Sequence, residues 1–318
     1  MRTVRLAYRD HDRTPLIFCI REMARRYYGV DVEVLHMKPS AAFESALFDG
    51  AADVIIEHLE YLYEKAAAGE KISFLCAPSK GGNLDLVVAP RVNDIGDLRG
   101  GALAVRPSGQ PHAIAQWLRM MELDKDVSTV FFEDDEVGRW GQWKKVASGD
   151  CVAAFMSPLY VPQAVAAGLK VINVPELPIV GHYAQACVAE FARANPALIG
   201  DYLKAVVHAV CLLIYRRDEA LAIARGEPMK RMKIDDPKEL ARQVDAIARG
   251  LKPKPYPTPQ AVANTYEIAT VEYPEATGLN PLALWDLHWV KELDDSGFID
   301  RLVDELGARS APPVHQTV

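Results

Sequence analysis

Apolar and polar positions along this chain fall into short runs that switch repeatedly between a period of two and a period near 3.6. "TVRLAY" reads as a strand, and from Thr14, with Pro15 behind it, apolar residues recur at helical spacing to about residue 28. "VDVEVLHM" is a strand, and "SAAFESALFDG" is a helix that begins at Ser40 and stops at Gly50. "ADVIIE" is a buried strand, "EYLYEKAAAG" a helix and "KISFLCAP" a strand. Strands alternating with helices of this length predict parallel βαβ units.

The pattern then restarts. "GALAVRPS", "STVFFE", "CVAAFMS" and "KVINVP" read as strands, with "PHAIAQWLRMMEL", "RWGQWKKVASG" and "YVPQAVAAG" as the helices between them. Gly50, Tyr61, Ala67, Ala68, Gly69 and Lys71 align without a gap on Gly149, Tyr160, Ala166, Ala167, Gly168 and Lys170, and "LAYR" at 6–9 matches "LAVR" at 103–106. Any two βαβ units share some likeness, but here the order of elements also repeats. The period is far too long for a solenoid, which leaves two similar α/β lobes. Beyond them, "YAQACVAE" is a strand and Asn195-Pro196 opens a long amphipathic helix. "LARQVDAIARGL", "QAVANTYEIATV" and "GFIDRLVDEL" follow as helices expected to pack on the first lobe, with the loop "KPKPYPTPQ" among them.

Composition narrows the function only a little. A net charge of −7 argues against nucleic acid or an acidic membrane surface as partner. The cysteines Cys19, Cys76, Cys151, Cys187 and Cys211 are scattered without a CxxC pair, and most sit in apolar runs as small core residues. No uninterrupted apolar stretch is long enough to span a membrane, and the first residues lack the apolar run of a signal peptide. As written, the chain is expected to be cytoplasmic, or periplasmic if it is a trimmed mature form.

The order of elements, with two crossings between lobes, resembles the type II periplasmic solute-binding fold. Within it, the chain is similar to the nitrate/sulfonate/taurine-binding and thiamine-pyrimidine-synthase-like superfamily. "FESALFDGAADVIIEHLEYLYEKAAAGEKISFL", "DIGDLRGGALAVRPSGQPHAIAQWLRM", "VASGDCVAAFMSPLYVPQAVAAGLKVI" and "AEFARANPALIGDYLKAVVHA" carry the resemblance, which spans about residues 3–215. The chain departs from the transport receptors by lacking their signal peptide or lipobox, and from the pyrimidine synthases by lacking their cysteine cluster. "HDRTP" at 11–15 resembles the start of dihydroxyphthalate decarboxylases on the same fold.

The resemblance implies two Rossmann-like lobes with a hinge near 77–85 and 177–184, an interlobe cleft and a helical C-terminal part. The expected parts are 1–82, 83–180 and 181–318, the first and last forming one lobe. In open α/β sheets ligands sit beyond the carboxyl ends of the strands. That rule nominates Tyr8, Arg9, Asp10, His11, Glu57, His58 and Lys80 from the first lobe. From the second it nominates Arg106, Ser108, Gly109, Gln110, His112, Ser157 and Tyr160, with Glu133, Asp134 and Asp135 nearby; His182 and Tyr183 come from the return crossing. "RPSGQPHAIA" reads either as a plain capped helix or as an anion grip made of Arg106 and the helix start. His11, His58, His112 and His182 read as ligand contacts, as loop residues, or as a catalytic or metal set; none has metal spacing. Trp140 and Trp143 are either packing or a stacking surface, while His36 and His288 read as structural. There is no GxGxxG, GxxxxGK[ST] or GxSxG to suggest dinucleotide, nucleotide or serine-hydrolase chemistry.

The expected function is that of a small-molecule-binding protein of the ABC-transporter substrate-binding type, taking an anionic organic ligand, with an aromatic one as the open option, in an interlobe cleft and beside an ABC permease. No cofactor is expected, with a divalent metal as the open alternative. The second expectation is a lyase on the same fold, a decarboxylase of a hydroxylated aromatic acid, with His11, His58 and His182 as its catalytic candidates.

Overall fold

A computed structural model describes residues 2–9, 11–82, 84–107, 111–138 and 140–308. The chain divides into two compact units. The first takes Met1–Lys80, Val180–Val262 and Ala269–Val318; the second takes Gly81–Ile179 and Ala263–Ile268.

The first unit is built on five strands, β1 (Arg2–Tyr8), β2 (Val30–His36), β3 (Val54–Ile56), β4 (Ile72–Cys76) and β10 (Gln185–Val188), in the order β2-β1-β3-β10-β4. The second holds β5 (Asp85–Val88), β6 (Ala102–Val105), β7 (Ser128–Phe131), β8 (Ala153–Met156) and β9 (Lys170–Ile172), in the order β7-β6-β8-β5-β9. In each sheet the unit's first βα strand is flanked by parallel neighbours, and one antiparallel strand sits between its third and fourth strands. The inserted strands are β10 in the first unit and β5 in the second. The hydrophobic pattern anticipated β10 but not β5, whose four residues "DLVV" begin where the expected hinge at 77–85 ends.

The sequence repeat is visible in the backbone as well. Gly50 and Gly149 lie before β3 and β8 with φ of 68° and 87°, and Gly69 and Gly168 follow the next helices with φ of 105° and 88°. Only glycine takes such angles without a steric penalty, so these aligned pairs mark the same two turns in each unit.

Helices α1 (Thr14–Tyr27), α2 (Ser40–Ser45) and α3 (Glu60–Ala67) connect strands in the first unit. In the second, α4 (Pro111–Met120), α5 (Asp134–Val137), α6 (Trp143–Ala147) and α7 (Val161–Ala166) do so. The chain continues with α8 (Ala189–Ala194) and α9 (Pro196–Tyr215). Leu16, Ile17, Phe18, Cys19, Ile20, Met23 and Ala24 of α1 are all buried, and the helix packs on α9. Burial of this kind, about 1.5–3 kcal/mol for each large apolar side chain, outweighs the weak helix propensity of the β-branched residues involved. By length and composition α9 could cross a membrane, but most of it lies in the core of the first unit. Thr14 is the first helical residue of α1, and Arg13 takes the cap position with no side-chain cap bond.

Among the described residues six further helices follow: α10 (Arg217–Ala224), α11 (Glu227–Met232), α12 (Pro237–Gly250), α13 (Pro259–Glu272), α14 (His288–Asp295) and α15 (Phe298–Ala308). Residues of α10, α12, α14 and α15 join the first core. The middle of α13 departs from the expected packing on the first lobe and belongs to the second unit. There Gln116 Nε2 donates to the Asn264 carbonyl at 3.0 Å, Asn264 Nδ2 donates to the Pro178 carbonyl at 2.7 Å, and Ile268 joins the second core.

Candidate ligand-binding site

β1 and β3 run in parallel and end at Tyr8 and Ile56, while the antiparallel β10 begins at Gln185. Arg9, His11, Asp12 and Arg13, then Glu57 and His58, and finally His182 and Tyr183 therefore gather at one end of the first sheet. Arg13 is the centre of this group and is 1% exposed. Its guanidinium pairs with the buried Glu57 carboxylate, donates to Asp12 Oδ1 at 3.0 Å and to the His182 carbonyl at 2.9 Å. Glu57 Oε1 also accepts the His58 backbone N–H at 3.1 Å, and Arg9 Nε lies 3.8 Å from Glu57 Oε2. One buried ion pair thus ties together the three chain segments that meet here.

The rings of His58 and His182 lie 5.4 Å apart, centroid to centroid. Crowding by protein lowers the pKa of both, and the Arg13 charge lowers each further. For His58 the Glu60 carboxylate, 3.7 Å from Nδ1, pulls the other way without reversing the direction. Burial in turn raises the pKa of Glu60. The His58 side chain keeps 39% of its surface accessible, so it is surrounded on its flanks yet open to a solute. At neutral pH both imidazoles are neutral, each offering one hydrogen-bond donor and one acceptor.

A second cluster sits beside the first. His11 stacks on His36 with centroids 4.0 Å apart, Tyr8 lies against both, and His36 Nε2 donates to the Arg9 carbonyl at 2.8 Å. His36, read as structural, anchors the turn that carries Arg9 and His11. Lys80 stands apart: its ammonium donates to the Arg249 carbonyl at 2.8 Å, at the end of α12.

In the second unit β6 and β8 end the same way, delivering Arg106 after Val105 and Ser157 after Met156. Ser108, Gly109 and Gln110, like Asp10, lie outside the described residues. His112 is exposed on α4. The Arg106 guanidinium lies over the Trp140 ring at 5.4 Å, and Trp140 stacks near Tyr160 with centroids 6.3 Å apart and planes 28° from parallel. Trp140 sits at φ 56°, a left-handed conformation that costs a bulky residue about 1–3 kcal/mol. Glycines make the turn possible. Gly138 has φ 84°, and a Cβ on Gly141 would lie 2.0 Å from the Val137 carbonyl oxygen. "RWGQWKKVASG" was expected to be one helix, but among its described residues the helix runs over Trp143–Ala147. Trp143 packs on the core while Trp140 is held outside the helix.

Sequence reasoning nominated Glu57, His58 and His182 but passed over Arg13, which lies inside the "HDRTP" stretch. A charged residue ahead of an apolar helix was the available signal, but its burial could not be read from the pattern. Among the described residues no group of three or more His, Cys, Asp or Glu side chains is arranged to hold a metal ion.

No protein-family model and no curated protein matches the chain. Solved structures do. A periplasmic sulfonate-binding protein, SsuA, of a sulfonate ABC transporter from Methylobacillus flagellatus KT aligns with a TM-score of 0.64 at 18% identity, covering 94% of this chain and 96% of that one. The periplasmic aliphatic sulphonate-binding protein SsuA from Escherichia coli gives 0.61 at 16% identity, over 86% and 87%. DSZB in complex with biphenyl-2-sulfinic acid gives 0.59 at 12% identity, over 93% and 100%. At such identities the likeness is one of fold.

Proposed function

This chain has the type II periplasmic-binding-protein fold, and from that premise we propose that it binds a small anionic organic molecule as the substrate-binding partner of an ABC permease. The observation that carries the proposal is the placement of Arg9 and Arg106. Each directly follows the corresponding strand of its own sheet, β1 or β6, at the carboxyl end where open α/β sheets take their ligands. A guanidinium there recognises the paired oxygens of a carboxylate, sulfonate or phosphate by two parallel hydrogen bonds. His58 and His182, held neutral, add donors and acceptors without adding charge.

The location follows from the binding role. SsuA from Escherichia coli and from Methylobacillus flagellatus are described as periplasmic, and a receptor serving a permease would work in that compartment.

Calorimetry and thermal shift with a panel of small sulfonates, carboxylates and phosphates test the reading. At least one member should raise the melting temperature in a concentration-dependent way. Arg106→Ala should then weaken its binding about tenfold, roughly 1.4 kcal/mol. If no panel member binds, the proposal is wrong.

A further inference from the structure

The fixed cations at the carboxyl end of the first sheet already face carboxyl groups. Arg13 pairs with Glu57 and with Asp12. Arg9 Nε lies 3.8 Å from the other Glu57 oxygen, and its Nη1 donates to Ser40 Oγ at 3.2 Å. Glu60 brings a further carboxyl group to 3.7 Å from His58. Among the described residues gathered here, two guanidinium groups thus stand against three carboxyl groups. Such a set offers hydrogen-bond donors but no surplus positive charge. An anion that enters keeps its charge uncompensated unless a group beside it gains a proton.

His58 and His182 are placed to gain one. Their rings lie 5.4 Å apart, both residues are half-buried, and the His58 side chain keeps 39% of its surface accessible. Among the described residues neither ring makes a hydrogen bond through its nitrogens, so each neutral imidazole keeps an acceptor nitrogen. The charges around them act in both directions. Arg13 repels a proton from both rings and Arg9 repels one from His58, while Glu60 and Asp12 attract one to His58. Tyr183 covers one side of the His182 ring, and Glu272 of α13 acts on Glu60. His11 and His36 form their own stack nearby. In the free protein, crowding and Arg13 win, and both rings are neutral at neutral pH. A negative charge within about 4–6 Å of an imidazole raises its proton affinity by about tenfold to a thousandfold. Two imidazolium rings this close repel each other, so the pair takes a single proton.

We infer that the His58–His182 pair is the charge-supplying part of the anion site, and that below neutral pH the protein takes up one proton together with its anion. This deepens the anion-binding reading and rests on it. The sign follows from the extra proton held in the bound state: affinity is greatest in acid and falls as pH rises through the window in which only the complex is protonated.

The experiment titrates the full chain by calorimetry with methanesulfonate, benzenesulfonate and benzoate, in two cationic buffers of different ionisation heat. Between about pH 7.5 and about pH 5.5, affinity for at least one of these anions should rise about tenfold. At about pH 6.5 the dependence on buffer should report uptake of roughly half to one proton per anion bound. A double variant, His58→Gln with His182→Gln, should bind without uptake and with an affinity that no longer follows pH. Histidine-ring NMR of the parent protein gives a second measurement that does not depend on how the variant folds. At fixed pH, adding the anion should move one of the two rings towards its imidazolium position. Binding with no uptake and no ring becoming charged overturns the inference and leaves anion binding standing, as does uptake that persists in the double variant. Absence of binding by all three probes overturns anion binding and this inference together.

Discussion

Arg13 and Glu57 pair side chain to side chain with 2% and 1% of their surfaces exposed. Removing one partner strands the other charge where water cannot reach it. Glu57→Leu or Arg13→Met should therefore cost about 3–5 kcal/mol in urea unfolding. The double variant should lose clearly less than the sum of the two, because no charge is left behind. Additive losses would mean the pair is not coupled in solution.

Acidification should weaken the fold through the histidines. Their ordinary value is 6.5, and the folded-state values of His182, His58 and the buried His208 all lie below it. Between the folded value and 6.5 the unfolded chain binds more protons, so stability rises with pH across that window. The contribution is whole above 6.5 and is lost as pH falls through each folded value. Glu60, raised from 4.5, acts oppositely: its contribution is whole below that value and fades as pH climbs through the raised one. The melting temperature should drop between about pH 7.5 and about pH 5.5. The drop should be smaller in His182→Gln, with His58 and His208 accounting for what remains. A pH profile unchanged by that substitution would remove His182 from the explanation.

Two tryptophans of the second unit should respond differently to truncation. Trp117 is fully buried, with its Nε1 donating to the Pro175 carbonyl at 3.0 Å. Trp117→Ala should cost about 3–5 kcal/mol. Trp140→Gly should cost less than about 1 kcal/mol, since lost packing is offset by release of a left-handed tryptophan. Chemical denaturation of the two variants side by side makes the comparison, and similar losses would contradict the geometry at φ 56°.

Gly141→Ala tests the turn from its other end. Its Cβ would fall 2.0 Å from the Val137 carbonyl oxygen, so the segment must shift. A loss of about 1–3 kcal/mol is expected, together with a change in Trp140 fluorescence, read in a variant whose other tryptophans are phenylalanine. A variant as stable as the parent with the same emission would show that the turn accommodates a side chain.

Much of the architecture could be read from residues alone, because a strand buried on one face and a helix with one apolar stripe carry their own periods. "TVRLAY" became β1 and "YAQACVAE" became β10 for that reason. What escaped were features set by distant parts of the chain. Four residues of "DLVV" are too short to declare a strand, and β5 forms because β8 and β9 pair with it on either side. Residues 263–268 of α13 look like any amphipathic helix until Gln116 and Pro178 supply partners for Asn264. At the candidate site, the positions of Arg9, Glu57, His58 and His182 followed from topology, since strand ends can be counted. Arg13 and the contorted Trp140 could not be found that way: one depends on a carboxylate 44 residues away, the other on backbone angles that hydrophobic pattern does not encode.

The antiparallel insertion gives the protein an unusual order of completion during synthesis. All five strands of the second sheet lie between Asp85 and Ile172, so that sheet is complete in the nascent chain before β10 has been made. The first sheet has a gap between β3 and β4 that only residues 185–188 can fill. The sheet whose strands are made first can therefore be completed only after every strand of the second sheet has been made.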